Sequence, residues 1–189
     1  FSRASEATYT DANGIIQTAG VDEPRFNYDP ETGEFLGLIL ENAKYNLFHN
    51  SENFNSSTWT KQNGITVTPN TGPAPDGTNT ATTIISTRDD QNLFATIVTE
   101  AAPCTISCYV RVKSGVGKFN QSCYVGSGIN LTSPVYTATT DWQRFSFTTT
   151  PPGAGNSWYP FVPNTLDIEF EIWGAQLEYG SAPSSYIKT

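Results

Sequence analysis

Three carboxylates stand at alternate positions near the end of the chain: Asp167, Glu169 and Glu171, in the stretch LDIEFEIW. On a strand, residues i and i+2 share a face and lie ~6.5–7 Å apart. That separation falls between the carboxylate spacings of retaining and inverting glycosidases, so an acid and a base for glycoside cleavage is the first chemistry to weigh. The spacing alone is weak evidence, because any acidic strand supplies it. An acidic face also keeps a sheet soluble and discourages edge pairing. A solvated face is therefore preferred over catalysis, followed by ion pairs or ligand contacts shared with Arg111 and Arg144. The lone His49 offers no Ser-His-Asp triad that is not forced, and no His/Cys cluster of the zinc type.

Aromatic residues are the second resource. Tyr109, Tyr124 and Trp173 fall on outward positions by strand parity, and Trp158 and Tyr159 lie in TPPGAGNSWYP, which reads as a Gly/Pro-rich loop. Sugars present flat C–H faces that stack on such rings, and hydroxyls that need Arg, Asn or carboxylate partners. A sheet face carrying Tyr109, Arg111, Arg144, Glu169 and Trp173, with Glu171 in the same row, would supply both. An oligomer interface is enriched in the same Tyr, Trp and Arg, so both readings stay open at this point. Trp59 and Trp142 are expected in the core or at the sheet rim.

Oxygen donors come third. Asp29, Glu31 and Glu34 in DPETGE suit calcium by type, but their spacing fails the EF-hand pattern and turn chemistry explains them. A second set, Asn50, Glu52 and Gln176, would join the start and end of the main domain. Calcium is the one cofactor either set would imply. Three cysteines, Cys104, Cys108 and Cys123, cannot all pair within one chain, which argues against a disulfide framework.

The elements that must position these residues are strands. Helical periodicity is nearly absent, apart from a short turn around Glu41 to Tyr45. Alternation dominates, with turn signals every ~8–12 residues, and predicts an all-β antiparallel sandwich. Residues 1–44 read as an N-terminal β-hairpin extension. Its two turns are Asp11-Ala12-Asn13-Gly14 and Asp29-Pro30-Glu31-Thr32-Gly33. Such hairpins do not stand alone in water, so they must lie on the main domain or on a neighbouring chain. Residues 45–189 form the sandwich, with strands expected at 45–49, 65–69, 80–85, 92–99, 104–112, 118–125, 134–138, 143–150, 160–162 and 166–173, and a continuation at 175–178. Parity turns Ile106, Cys108, Val110 and Val112 inward, with Phe145, Phe147, Leu166, Ile168, Phe170 and Ile172. If 105–112 and 118–125 form a hairpin, the core faces match only with Cys108 opposite Cys123, as buried thiols in preference to a strained disulfide.

Composition sets the limits. The chain has 189 residues, enough for a real core, and a net charge of −8 with its 10 basic residues scattered. That balance disfavours a nucleic-acid partner, which wants clustered Lys and Arg. No apolar run approaches the ~20 residues of a membrane helix. A chain without Met that opens on Phe1 is expected to be a processed piece of something larger.

From Asn46 onward, NLFHNSENFNSSTWTK, TISCYVRVKSG, TDWQRFSFTTT and IEFEIWGAQLEYG resemble, in order and spacing, the galactose-binding-like jelly rolls that include many carbohydrate-binding modules. The whole chain resembles something narrower. SRASEATYTDANG, PRFNYDPETGEFLGLILENAKYNL and IWGAQLEYGSAPSSYI are similar to a C-terminal domain of tailed-phage virion proteins: tail fibres, tail spikes and head fibres or decorations. The resemblance implies a non-enzymatic module on the particle surface that meets host cell-surface glycan. The alternative is a structural decoration or cap packed against other virion proteins or sister chains, for which a homo-oligomer, with a trimer as one form, is the expected state. Calcium is common in related jelly rolls near the first loop and last strand, where Asn50, Glu52 and Gln176 stand. WGAQLE departs from the Asp-containing pattern there, which weakens that expectation. A polysaccharide-cleaving enzyme is the third and least favoured reading.

Overall fold

A computed structural model describes residues 2–29, 32–126 and 128–189, with only the backbone for Ala154. Two antiparallel sheets face each other across one core, the predicted jelly-roll sandwich. The six-stranded sheet runs β11 (Ile129–Thr132), β10 (Gly117–Val125), β14 (Ala154–Pro163), β8 (Leu93–Thr99) and β5 (Thr60–Lys61), and β12 (Tyr136–Ala138) also pairs with β10. The five-stranded sheet runs β13 (Gln143–Thr149), β9 (Cys104–Val112), β15 (Phe170–Tyr179), β7 (Ala81–Ile85) and β6 (Thr66–Gly72). Two hairpins precede them: β1 (Ala7–Thr10) with β2 (Ile16–Ala19), and β3 (Phe26–Tyr28) with β4 (Phe35–Leu38). No helix among the described residues is long and apolar enough to cross a membrane.

The core is built by alternation, as expected. Ile106, Cys108, Val110 and Val112 of β9 meet Phe119, Cys123 and Val125 of β10, with Phe145, Phe147, Phe161, Phe170 and Ile172 around them. Phe119 is the hub, in ring contact with Tyr136, Phe145, Phe161 and Phe170. Trp59 closes one end against Phe48 and Phe54.

Several expectations are corrected. Strands β9 and β10 do not form a hairpin: β9 lies between β13 and β15, and β10 pairs with β14, β11 and β12. Two strands that face each other across a sandwich satisfy the same inward parity as two side by side, and the Lys113–Val116 link crosses between sheets. Cys108 therefore pairs with Phe145 in register and Cys123 with Trp158. All three thiols are buried and free, as preferred. The segment 150–160 is not a loop throughout: β14 begins at Ala154 and tolerates Pro160 at a register shift between Trp158 and Phe161. The last strand begins at Phe170 rather than 166; Leu166 is exposed and Asp167 turns the backbone at φ 58°. Residues 45–49 are not a strand, although Leu47 N–H donates to Leu177 O. Glu41 to Tyr45 is not helical, and the short 3-10 turn present is Gln62–Gly64.

The first hairpin closes as its sequence predicts. The Asp11 carboxylate accepts from the Asn13 and Ile15 N–H groups, and Gly14 takes φ 76°. In the second, Asp29 Oδ1 accepts from Thr32 N–H; Pro30 and Glu31, the middle of that expected turn and part of the DPETGE calcium set, lie outside the described residues.

Candidate functional site

The five-stranded sheet carries most of the residues singled out above, and their outer face is not open. Trp173, on the face opposite the core, is 1% exposed. Its ring meets Tyr109 at 5.7 Å and Tyr186 at 4.5 Å, and its indole N–H donates to Thr80 Oγ1. Ile16 of the first hairpin and Ala74 complete this second apolar cluster. The chain's own termini thus cover the face on which a sugar was expected.

The covering is pinned by polar groups. Tyr186 O–H shares a hydrogen bond with Ser51 Oγ at 2.8 Å and donates to Glu52 at 3.0 Å, and Thr8 Oγ1 donates to the Tyr186 carbonyl. Burial, with the Glu52 carboxylate beside it, pushes the Tyr186 phenol far up, so it stays a donor. The fully buried Glu178 accepts from the Ser184 N–H and hydroxyl and from the Gln176 amide. Arg25 reaches across from the second hairpin to Glu41, Thr8 O and Ser185 Oγ, each at 2.8–3.0 Å.

The predicted residues separate accordingly. Arg144 lies over the Tyr109 ring and donates to Ser184 O and Ser107 Oγ, so it latches the tail and pairs with no carboxylate among the described residues. Burial raises the Tyr109 phenol, partly offset by the Arg144 charge. The expected salt-bridging role is observed for Arg111, whose Nε donates to buried Glu171 at 2.6 Å while its guanidinium stacks on Trp142. Glu169 is separate and pairs with Lys113 at 2.9 Å. With Asp167 in a turn, the three acids do not form one ladder. Tyr109 and Arg144 line a cleft of ≈ 240 Å³ with Thr8, Ile39, Glu41 and Ser185.

The six-stranded sheet presents the open face. Trp158, expected at the surface, points into the core and is fully buried, because β14 alternates there. Its neighbour Tyr159 points outward and meets Phe94 of β8 at a ring distance of 4.8 Å. Tyr124 of β10 is exposed on the same face. Register sets out two rows across the strands. One runs Asn130, Tyr124, Ser157 and Thr96; the next runs Thr132, Ser122 and Tyr159, with Phe94 beside it. Of the predicted residues, this face gathers Tyr124 and Tyr159. Phe94, Ser157 and Asn130 stand there too and were missed. The signal was present in LFATIVT, where Leu93, Ala95 and Ile97 turn inward and leave Phe94, Thr96 and Val98 outside.

The second calcium set does not converge. Asn50 donates to Thr58, Glu52 takes Tyr186 and Lys188, and the Gln176 amide is enclosed by Glu178, Ser184, Ser185 and the Ile187 N–H. No group of three or more His, Cys, Asp or Glu that could hold a metal occurs among the described residues. These residues do not fit a calcium cage.

No protein-family profile and no curated protein sequence matches the chain. Solved structures share its fold. The CBM22-1 xylan-binding domain of Paenibacillus barcinonensis Xyn10C superposes with a TM-score of 0.58 at 16% identity, over 76% of this chain and 100% of that one. A second xylan-binding CBM22 domain gives 0.57 at 14%, over 74% and 97%. The CBM22-1-GH10 modules of Clostridium thermocellum Xyn10B, in complex with xylohexaose, give 0.55 at 13%, over 74% of this chain but 29% of that one. At such identities the likeness shows the fold alone, an antiparallel jelly-roll β-sandwich.

Proposed function

We propose that the protein is a carbohydrate-binding module that takes a glycan chain on the outer face of its six-stranded sheet. The observation that carries this is the asymmetry of the two faces. One is covered by the chain's own hairpin and tail, and the other leaves Tyr124, Tyr159 and Phe94 interleaved with Ser157, Thr96 and Asn130. Strands ~4.8 Å apart and side chains ~6.5–7 Å apart along each strand make a shallow lattice on which successive sugar rings can stack and hydrogen-bond. The xylan-binding modules that share the fold support the ligand class. Binding without cleavage fits the acids, since Lys113 holds Glu169 and Arg111 holds Glu171. The finer reading is an adhesion module on the surface of a tailed-phage particle, directed at host glycan. It is supported by the resemblance of SRASEATYTDANG and IWGAQLEYGSAPSSYI to virion domains.

The test is a glycan array of bacterial surface polysaccharides, followed by calorimetry on a hit with Tyr124→Ala and Tyr159→Ala. Each substitution should weaken binding about three- to tenfold, the worth of one ring stack. A wild type that binds nothing on the array, or variants that bind as well as wild type, would sink the proposal.

A further inference from the structure

The second hairpin is built inside out. Along Arg25–Tyr28 and Leu36–Glu41 the residues alternate. Arg25, Gly37, Ile39 and Glu41 face the domain, where Arg25 pairs with Glu41 and Ile39 lines the cleft, with the exposed Asn27 at its rim. The outward set is Phe26, Tyr28, Leu36, Leu38 and Leu40, and Phe35 joins it through the register shift opposite Asn27 and Tyr28. Gly37, at φ 122°, allows that kink. Phe35 stacks against Phe26 at 5.9 Å and Tyr28 at 5.7 Å, a ring cluster with no core beneath it. Phe35, Leu36 and Leu40 are 58%, 56% and 75% exposed. A hairpin that lies on its own domain should turn its apolar side down. This one turns its ion pair down and its rings out.

We infer that this face docks a second copy of the same chain. The exposed apolar area is on the order of 500 Å², at the upper end of the largest patch on an ordinary monomer. Two such patches face to face would bury on the order of 1,000 Å², the lower bound for a specific interface. Among the described residues the patch carries no charged side chain, so it is complementary to itself, as a two-fold contact requires. Its one polar side-chain group among the described residues is the Tyr28 hydroxyl, which can both donate and accept and so can pair with its own copy. The net charge of −8 opposes association of like chains, so pairing should tighten with salt. An anionic membrane surface is disfavoured by the same charge. The surface is distinct from the proposed sugar face and does not rest on it.

Sedimentation equilibrium and light scattering on the wild type at micromolar to hundred-micromolar concentration, in low and high salt, test the inference. The expected result is a concentration-dependent rise in mass that strengthens with salt. Phe35→Ser and Leu38→Ser should each raise the dissociation constant about tenfold or more. Val116→Ser, an exposed apolar change in the β9–β10 link, should not. Far-UV circular dichroism confirms that each variant is folded, since the substituted side chains touch little of the core. A wild type that stays monomeric at the highest concentration, or association equally weakened by Val116→Ser, would overturn it.

Discussion

Glu171 shows how the same residue type can mean different things a few positions apart. Read as one step of an acidic row, it is instead 2% exposed and bound to Arg111, while Glu169 stays at the surface with Lys113. Arg111 remains partly exposed, so Glu171→Gln leaves a cation that water can partly rescue; the expected loss is about 1–3 kcal/mol in urea unfolding. A loss below about 0.5 kcal/mol would place the pair among ordinary surface ion pairs. The thiols give a second test. Burial pushes Cys108 and Cys123 up to about 12 from an ordinary 9.0. Between those values the unfolded chain releases thiol protons that the folded chain keeps. The stability this provides is complete below pH 9 and is lost as pH rises toward 12, at about 1.4 kcal/mol per pH unit per thiol. Replacing both by Ala should flatten that decline in unfolding experiments between pH 9 and 11. Inward parity and the absence of a disulfide were legible in TISCYVRV and KFNQSCYV. The neighbours were not, because parity is blind to whether two strands are adjacent or opposed.

At the scale of elements, the last strand decides which face is open. β15 is buried along almost its whole length, core on one side and tail on the other. Its alternation still looked like a half-exposed strand, because Glu171, Gln176 and Glu178 are polar residues buried with partners rather than solvated ones. The strand bends between Trp173 and Gln176, where Gly174 takes φ 63°. A Cβ there would lie 3.1 Å from the Tyr186 ring and 3.4 Å from Tyr109, on a backbone that L side chains rarely adopt. Gly174→Ala should cost about 1–3 kcal/mol, mostly by loosening the tail. Tyr186→Ala, which empties the centre of the second cluster, should cost about 3 kcal/mol. In both variants a protease should cut within 180–189 well before the sandwich unfolds, and Trp173 fluorescence should become quenchable by iodide. A tail as resistant as in the wild type would mean that Tyr186 does not anchor it. Tyr186 is an aromatic in an otherwise small and polar stretch, whereas Glu178 and Ser184, which hold the tail from beneath, carried no signal beyond being polar near a turn.

Across the whole molecule, the fold was the most legible level, since turn spacing and alternation specify a sandwich even when individual pairings are misassigned. The location of the proposed binding face was the least legible. It depends on where residues 1–44 and 180–189 come to rest, and that is long-range packing no local pattern encodes. The first hairpin bonds through Ile16 N–H to Pro75 O, and Thr8 and Arg25 tie it to Tyr186 and Ser185. Deleting residues 1–44 should therefore uncover Trp173, lower the melting temperature and free the tail. The main core, assembled from residues 48–177, should survive. The consequences for binding are separable. Sugar affinity should persist within about threefold, because Tyr124, Tyr159 and Phe94 stand on the opposite sheet and the effect of distant changes is small. Self-association should vanish, because Phe26, Phe35 and Leu38 leave with the deletion. Loss of sugar binding by a truncated chain that is still folded would instead assign the ligand to the cleft between Tyr109, Arg144 and the hairpin. The covered face would then be a closed site rather than a sealed one.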